Sequence, residues 1–296
     1  MTANTIFSRA IASALSRILA GVLLLGFLSS CTSLNNYYRS EDAPEHVKQG
    51  KTDFRLAITK ALGPPLAPIV RNIKLPFGNL RFSVGLEEHL KETLQPLDFI
   101  LVRAQPAITR FGITGHFTHV LVWLGTHAEM RYIGSLGLLN ARAQRGDIRS
   151  DGTIYESAKD AVRLADLSVM INTDEILIMR TAPMSRSRKR QKYELMSAHL
   201  GTPFDNSFDF NDKTRLTCIE VVAEVFPEFA IPTRYSTGRF ALVPDDLAQL
   251  AVSSSSQLRI VEHIVFARGA DGAQSFKIQG AKQVRAVLSK PKEKRK

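Results

Sequence analysis

The sequence predicts an α+β fold, because its strand-like and helix-like segments do not alternate as they do in a doubly wound parallel sheet. The strongest strand signal lies at residues 117–125, which are rich in β-branched and aromatic residues. The clearest helix signal lies at residues 216–226, where apolar residues recur three and four apart until Pro227. We therefore expect a sheet packed against the helix that carries Cys218.

The same periodicity rules predict the other elements of a main domain at residues 86–268. Alternation along the strand at 117–125 places His119, Leu121 and Trp123 on one face of the sheet. Residues 126–152 are interpreted as an insertion. The other predicted strands are at 153–157, 175–181 and 258–267, a turn and strand are predicted at 95–103, and further helices are predicted at 86–94, 186–200 and 244–250.

The N-terminal segment 1–30 carries two arginines, no acidic residue and an apolar run at 18–28 that is about half a membrane span long. The run ends in Leu-Ser-Ser-Cys at 28–31, which resembles a bacterial lipobox. The resemblance implies that Cys31 is diacylated and becomes the first residue of the mature chain. The alternative is an uncleaved anchoring helix with an incidental cysteine. Two or more acyl chains give stable membrane anchoring.

The residue after Cys31 bears on where such a lipoprotein goes. Thr32 follows the cysteine, and the aspartate that would resemble an inner-membrane retention signal is absent. By resemblance we expect an outer-membrane lipoprotein facing the periplasm. Residues 31–85 are then a polar tether and a helical N-terminal extension on the main domain.

The chain has a formal net charge of +11, which favours anionic surfaces such as lipid headgroups. Basic runs at 186–192 and 290–296 hold much of this excess, and we interpret them as a solvated helix face and a disordered end. Residues 269–296 are accordingly expected to be a basic, disordered tail. The sequence contains no zinc pattern, Walker loop or dinucleotide fingerprint, so we expect no metal, no cofactor and no nucleic-acid partner.

Cys218 is the residue whose predicted surroundings most favour chemical reactivity. Thr217 is suited to cap the helix, which places Cys218 in its first turn. There the unpaired backbone N–H groups and the helix dipole favour an anion, such as a thiolate. The chain has two cysteines, and Cys31 is assigned to lipidation, so Cys218 lacks a disulfide partner. The alternative is an inert, buried cysteine on an apolar helix.

Three segments resemble motifs of the NlpC-type papain-like hydrolases. Residues 96–102 (Pro-Leu-Asp-Phe-Ile-Leu-Val) are similar to the Pro-Gly-Asp-aliphatic motif, and residues 117–125 (Phe-Thr-His-Val-Leu-Val-Trp-Leu-Gly) are similar to the Ser/Thr-His-Val-Gly-Ile-Tyr-Leu-Gly strand. Residues 201–205 (Gly-Thr-Pro-Phe-Asp) and 216–222 are similar to Gly-x-Pro-Tyr-Asp followed by Cys-Ser-Glu-Leu-Val. The histidine precedes the cysteine by about a hundred positions. This reversed order resembles the circularly permuted YaeF/YiiX-like amidases, a group that also includes lecithin retinol acyltransferase.

The resemblance covers about residues 86–267 and implies a circularly permuted papain-like fold with a central antiparallel sheet. It assigns the nucleophile to Cys218 and the general base to His119. The third, orienting residue comes from the following strand, where Glu156 is the candidate, although a surface carboxylate is the alternative. Leu97, Leu121 and Ile219 depart from the family pattern, which has glycine at the first two positions and serine at the third, and none of the three removes a reacting group.

Three functions remain open on the sequence alone. The first is a membrane-anchored thiol hydrolase that cleaves an amide, with cell-wall peptides as natural substrates for the superfamily. The second is lipid acyl hydrolysis or transfer. The third is an inert envelope lipoprotein that uses the fold for binding. In the first two, the expected partners are a membrane and a peptide or lipid acyl substrate.

Overall fold

The central layer of the protein is a β-sheet. The computed structural model describes residues 38–39, 78–103, 115–141, 148–158, 160–206, 208, 210–236, 239–253, 257–269 and 272–289. All of these fall in the larger of two units, Tyr38–Lys296. In chain order, the strands of the described part are β1 Tyr38–Arg39, β2 Phe99–Arg103, β3 His119–Gly125, β4 Thr153–Ala158, β5 Ala161–Ala165, β6 Glu175–Thr181, β7 Arg234–Ser236, β8 Arg239–Ala241, β9 Leu258–Arg268 and β10 Gln274–Gln279.

The helices lie between these strands and at the C-terminal end of the described chain. In chain order they are α1 Leu86–Thr93, α2 His127–Ile133, α3 Leu136–Asn140, α4 Ser168–Ile171, α5 Arg186–His199, α6 Cys218–Val225, α7 Pro244–Val252 and α8 Ala281–Ser289, with single 3₁₀ turns at Asn79–Phe82 and Pro227–Phe229. No helix within the described ranges is long and apolar enough to cross a membrane.

Seven strands form one sheet, in the order β10-β9-β6-β2-β3-β4-β5, and every neighbouring pair is antiparallel. β2 lies at the centre, with β3 on one side and β6 on the other. A second sheet has the order β1-β7-β8. The architecture is therefore α+β with a central antiparallel sheet, and the fold class predicted from the sequence is confirmed.

Each face of the large sheet carries its own hydrophobic core. Side chains alternate along β3, so Val120 and Val122 pack in the core that contains α5, α6 and α7, whereas Leu121 and Trp123 pack in the core that contains α1 and α4. Both faces of β3 are buried. This explains why the strand reads as a continuous apolar run rather than an alternating one.

The predicted strands at 153–157, 175–181 and 258–267 are confirmed with small changes at their ends, as are the helices at 86–94, 186–200, 216–226 and 244–250. The disordered tail predicted at 269–296 is wrong for the part that is described. Strand β10 pairs with β9, and Val284 of α8 is fully buried against the core. The apolar residues of α8 are spaced as in an amphipathic helix, but the basic residues around them led to the prediction of disorder. The signal segment, Cys31 and the helix predicted within 31–77 lie outside the described residues.

The segment 126–152, interpreted as an insertion, contributes to the main core. It holds α2 and α3, and Met130 and Leu139 are fully buried in the core shared with α6. Residues 142–147 lie outside the described ranges. The predicted insertion is therefore packed into the main domain through its two helices.

Leu97 adopts an unusual backbone conformation in the turn before β2. Its φ is +74°, in the left-handed region that costs a residue with a side chain about 1–2 kcal/mol. The residue is nevertheless 2% exposed and packs in the core, and its N–H donates to the Trp123 carbonyl at 2.7 Å. Glycine adopts such a φ without strain, whereas the leucine at this position fills the core with its side chain.

We predict that Leu97→Gly is more stable than Leu97→Ala. Both variants lose a buried leucine, at a cost of about 2–5 kcal/mol in unfolding free energy. Alanine keeps the strain of a positive φ, so glycine retains about 1 kcal/mol more. Urea unfolding of the two variants measures the difference.

The matched control is Gln191, which is exposed in the middle of α5. There alanine should exceed glycine in stability by about 1 kcal/mol, because an ordinary helical position favours alanine. The same order at Leu97 as at Gln191 would contradict the assignment of strain to Leu97.

Candidate active site

Cys218 is the first residue of α6, and a capping box fixes the start of that helix. The Thr217 hydroxyl accepts from the Glu220 N–H at 3.4 Å, and a Glu220 side-chain oxygen accepts from the Thr217 N–H at 2.7 Å. This reciprocal pair stops the helix from fraying at its N-terminus. The position predicted for Cys218 in the first turn is confirmed.

Two backbone N–H groups at this helix start are left for other partners. The Cys218 and Ile219 N–H groups have no hydrogen-bond acceptor among the described residues, while the next N–H, that of Glu220, is used by the cap. The first N–H groups of a helix have no acceptor within the helix itself. They are therefore donors placed beside the Cys218 sulphur.

His119 is the first residue of β3, and its ring lies between Glu156 and Cys218. The Nε2 atom of His119 donates to Oε2 of Glu156 at 2.8 Å. The Cys218 sulphur also lies close enough to raise the pKa of His119, and Nδ1 is the ring nitrogen that does not bond to Glu156. The structure therefore brings together the three residues singled out in the sequence, in the order sulphur, imidazole, carboxylate.

The three side chains differ in their access to solvent. Cys218 is 2% exposed and Glu156 3%, whereas 24% of the His119 side chain is exposed. Solvent therefore reaches the group from the imidazole side.

The electrostatic setting favours the charged forms of His119 and Glu156. Burial alone would lower the pKa of His119, but the adjacent Cys218 sulphur and the Glu156 carboxylate outweigh it and raise that pKa to about 10. Burial alone would raise the pKa of Glu156, but His119 and Arg163 outweigh it and hold that pKa below its usual range. The imidazole is thus held protonated between the Glu156 carboxylate and the Cys218 sulphur.

Arg163 is a site residue that the sequence analysis missed. It lies on β5 directly opposite Glu156 of β4, and its Nη2 atom donates to Glu156 Oε1. The period-two pattern of residues 161–165, with Val162 and Leu164 apolar between small or basic residues, was a usable signal for an edge strand. The strand was not predicted, so its arginine was not considered.

The Gly-Thr-Pro-Phe-Asp segment links the Glu156 side of the site to the Cys218 side. On one side, the Val162 N–H donates to the Thr202 carbonyl at 2.8 Å. On the other, Phe204 forms a β-bridge with Leu216, two residues before Cys218. We name residues 201–205 the strap. Its backbone sets the distance between β5 and the start of α6.

Strand β4 holds three parts of the site through three successive residues. The Tyr155 hydroxyl donates to the Met196 carbonyl of α5 at 3.1 Å, and the Ser157 hydroxyl donates to the Leu216 carbonyl at 2.6 Å. Glu156, between them, holds His119. All three side chains are buried, so each of these hydrogen bonds is costly to lose.

The C-terminal end of α6 is held by Lys192 from α5. Its Nζ donates to the Val225 carbonyl at 2.8 Å and pairs with Glu228 at 2.9 Å. The basic run at 186–192 was interpreted as a solvated helix face, and this is wrong for Lys192, which is 7% exposed. A cation at a helix C-terminus interacts favourably with the helix dipole.

A second group of titratable side chains surrounds Glu175. Arg103 donates to its Oε1 at 2.6 Å, and the Nε2 atoms of His116 and His263 lie 2.6 and 3.3 Å from its Oε2. Burial would raise the pKa of Glu175, but these hydrogen bonds and the neighbouring cation hold it well below its usual range. Neither histidine was assigned a role from the sequence. Across the described residues, no cluster of three or more His, Cys, Asp or Glu side chains has a geometry that could hold a metal ion.

The comparison with known families decides the classification. The sequence model of one family, described as the permuted papain-like amidase enzymes, YaeF/YiiX, C92 family, matches residues 93–288, more than half of the 296-residue chain. The chain belongs to this family. The permuted papain-like fold implied by the sequence motifs is thereby confirmed, and the family is one of hydrolases.

The other comparisons add less. One solved structure is similar in sequence at 16% identity, with a TM-score of 0.33, and is described as the metalloprotein YiiX from Escherichia coli O157:H7. The match covers 46% of this chain and 66% of that one, just under two thirds of its length. No curated protein matches the chain.

We predict that the His119 ring titrates above the ordinary histidine range and that Cys218→Ala brings it down. The pKa of the folded protein is raised, so the imidazolium is fully present below about pH 6.5 and is lost only as pH rises toward 10. Removing the sulphur removes two of the upward causes and leaves the burial that lowers the pKa. NMR titration of the labelled imidazole measures both midpoints.

The control for this titration is Glu194→Gln, which removes an exposed carboxylate on α5 that pairs with Arg190. This change does not touch the sulphur or the ring, so the His119 midpoint should be the same in this variant as in the wild type. A His119 midpoint that does not move when the sulphur is removed would contradict the contact between the two side chains.

Proposed function

We propose that the protein is a cysteine hydrolase that cleaves an amide bond through a thioester on Cys218. The observation that carries the proposal is the buried series of Cys218, His119 and Glu156, in which the imidazole bonds to Glu156 and lies beside the Cys218 sulphur. Membership of an amidase family supports hydrolysis as the reaction class. The chemistry requires a nucleophile, a base within reach and a third group that orients the base.

In the first half of the reaction the Cys218 thiolate attacks the substrate carbonyl carbon and forms a carbon–sulphur bond. The carbonyl electron pair moves to oxygen, which the Cys218 and Ile219 N–H groups are placed to stabilise. When the tetrahedral intermediate collapses, the carbon–nitrogen bond breaks and the proton on His119 passes to the leaving amine. The products of this half are an amine and a thioester.

In the second half water resolves the thioester. The now neutral His119 accepts a proton from water, whose oxygen attacks the thioester carbonyl. Collapse breaks the carbon–sulphur bond, releases a carboxylic acid and restores the thiolate beside the imidazolium. Glu156 holds the ring through Nε2 in both halves, so the same nitrogen of His119 always faces the sulphur.

The envelope setting is part of the proposal. Acylation of Cys31 would anchor the enzyme at the outer membrane, facing the periplasm, where cell-wall peptides are the natural amides. The excess of basic residues supports a location near an anionic surface. Lipid ester hydrolysis or acyl transfer is the competing activity. Assays on peptide and phospholipid substrates distinguish the two.

We predict that purified protein hydrolyses an amide of a cell-wall peptide and that Cys218→Ala lowers the rate about 1,000-fold or more. His119→Gln should lower the rate by a similar factor, because the two residues act as one unit. Glu156→Gln should lower it about 10- to 100-fold, since the amide cannot stabilise the imidazolium. Rates are measured by chromatography of the released peptides.

The matched control is Glu194→Gln, which removes an exposed carboxylate on α5 that pairs with Arg190. It should leave the rate within about twofold of the wild type. Phospholipid vesicles are assayed in parallel, and hydrolysis of these but not of peptides would assign the competing activity. Full activity of Cys218→Ala on either substrate would overturn the proposal.

A further inference from the structure

We propose that Arg163 is a fourth, positioning residue of the site, which keeps Glu156 ionised and fixes its carboxylate toward His119. The inference rests on the proposed function and adds a residue to it. Arg163 is not catalytic, because it acts on the sulphur only through Glu156 and His119. Its predicted effect is on the pH range in which the thiol is reactive.

The geometry divides the two oxygens of Glu156 between two partners. Arg163 Nη2 donates to Oε1, and His119 Nε2 donates to Oε2 at 2.8 Å. With both oxygens engaged, rotation of the carboxylate about its terminal bond breaks one contact or the other. The arginine therefore fixes the plane in which the glutamate meets the imidazole.

The burial of Glu156 gives the arginine an electrostatic task. The carboxylate is 3% exposed, and burial by itself raises its pKa and favours the neutral acid. The cations on both sides reverse this and lower the pKa. Of the two, Arg163 stays charged throughout the useful pH range, whereas the charge of His119 changes during catalysis. Arg163 is thus the constant counter-charge of Glu156.

The backbone explains how an edge strand can hold such a residue in place. Arg163 is the direct cross-strand partner of Glu156. On the other side of β5, Val162 bonds to the strap at both of its backbone groups, to the Thr202 carbonyl at 2.8 Å and to the Gly201 N–H at 2.9 Å. The strap continues to Leu216 and the start of α6. The arginine is therefore positioned by the same backbone that positions Cys218.

A purely structural role for Arg163 makes a different prediction. A cross-strand ion pair that only stabilises the sheet would, when removed, lower the stability and change reactivity equally at every pH. The positioning role instead shifts the acid limit of reactivity. Loss of Arg163 raises the pKa of Glu156, so Glu156 is neutralised at a higher pH as the solution is acidified, and His119 loses its anionic partner earlier.

The test is the rate at which iodoacetamide alkylates Cys218 in the full protein, measured by mass spectrometry from about pH 4 to 9. In Arg163→Gln we expect the rate to fall about tenfold relative to the wild type near pH 5 and to stay within about threefold near pH 8. In Arg163→Lys the charge is kept, and one donor is enough for the single Nη2 contact, so the acid limit should return toward that of the wild type. Adding Arg163→Gln to Glu156→Gln should have no further effect.

Arg190→Gln is the matched control, because Arg190 also pairs with a glutamate but lies exposed on α5. Its rate of Cys218 alkylation should equal that of the wild type at every pH. If Arg163→Gln does not fold, as judged by circular dichroism, Arg163→Met, which keeps a long side chain without the charge, takes its place and should show the same displaced acid limit.

The outcomes separate the two proposals. An equal loss at every pH in Arg163→Gln, or a displaced acid limit in Arg163→Lys that matches Arg163→Gln, would overturn the positioning role. A wild-type thiol that reacts no faster than free cysteine would overturn the proposed function itself. If Cys218 is alkylated fast in the wild type, slowly in Glu156→Gln and at the wild-type rate in Arg163→Gln, only the role of Arg163 is rejected.

Discussion

A carboxylate with almost no access to water, held between an imidazole and a guanidinium, is the interaction on which the site depends. Glu156 is stable as an anion only because His119 and Arg163 surround it. In turn, the protonated state of His119 depends on that anion and on the Cys218 sulphur. Each charge in the series would be unfavourable alone at this depth, so the groups stabilise one another as a unit.

The sheet makes this series possible because it brings distant parts of the chain into fixed register. β3 supplies the imidazole, β4 the carboxylate and β5 the guanidinium, on three neighbouring strands. The helix with the thiol is the separate part, and the strap and Ser157 tie its start to the same strands. Backbone hydrogen bonds rather than long side chains therefore set the distances within the site.

Cys218, His119 and the strand that carries Glu156 could be singled out from the sequence, because local signals mark the helix start and the strand, and the family resemblance points to these residues. Cys218 follows a capping threonine, and His119 begins the strongest strand. Arg163 could not be predicted in the same way, because its role depends on a cross-strand register that no local pattern specifies. Lys192 was assigned to solvent because its neighbours in the run are charged, and only the packing of α5 against α6 shows that its ammonium is buried. The ordered segment 272–289 was likewise hidden by its basic composition.

The two ends of α6 are secured by different means, and this limits how the enzyme can adapt. A capping box secures the end that carries Cys218, and Lys192 secures the other through the Val225 carbonyl. A helix fastened at both termini cannot slide along its axis to meet substrates of different length. Divergence of preference among relatives would then have to arise in the surfaces around the thiol, while the thiol itself stays at one height above the sheet.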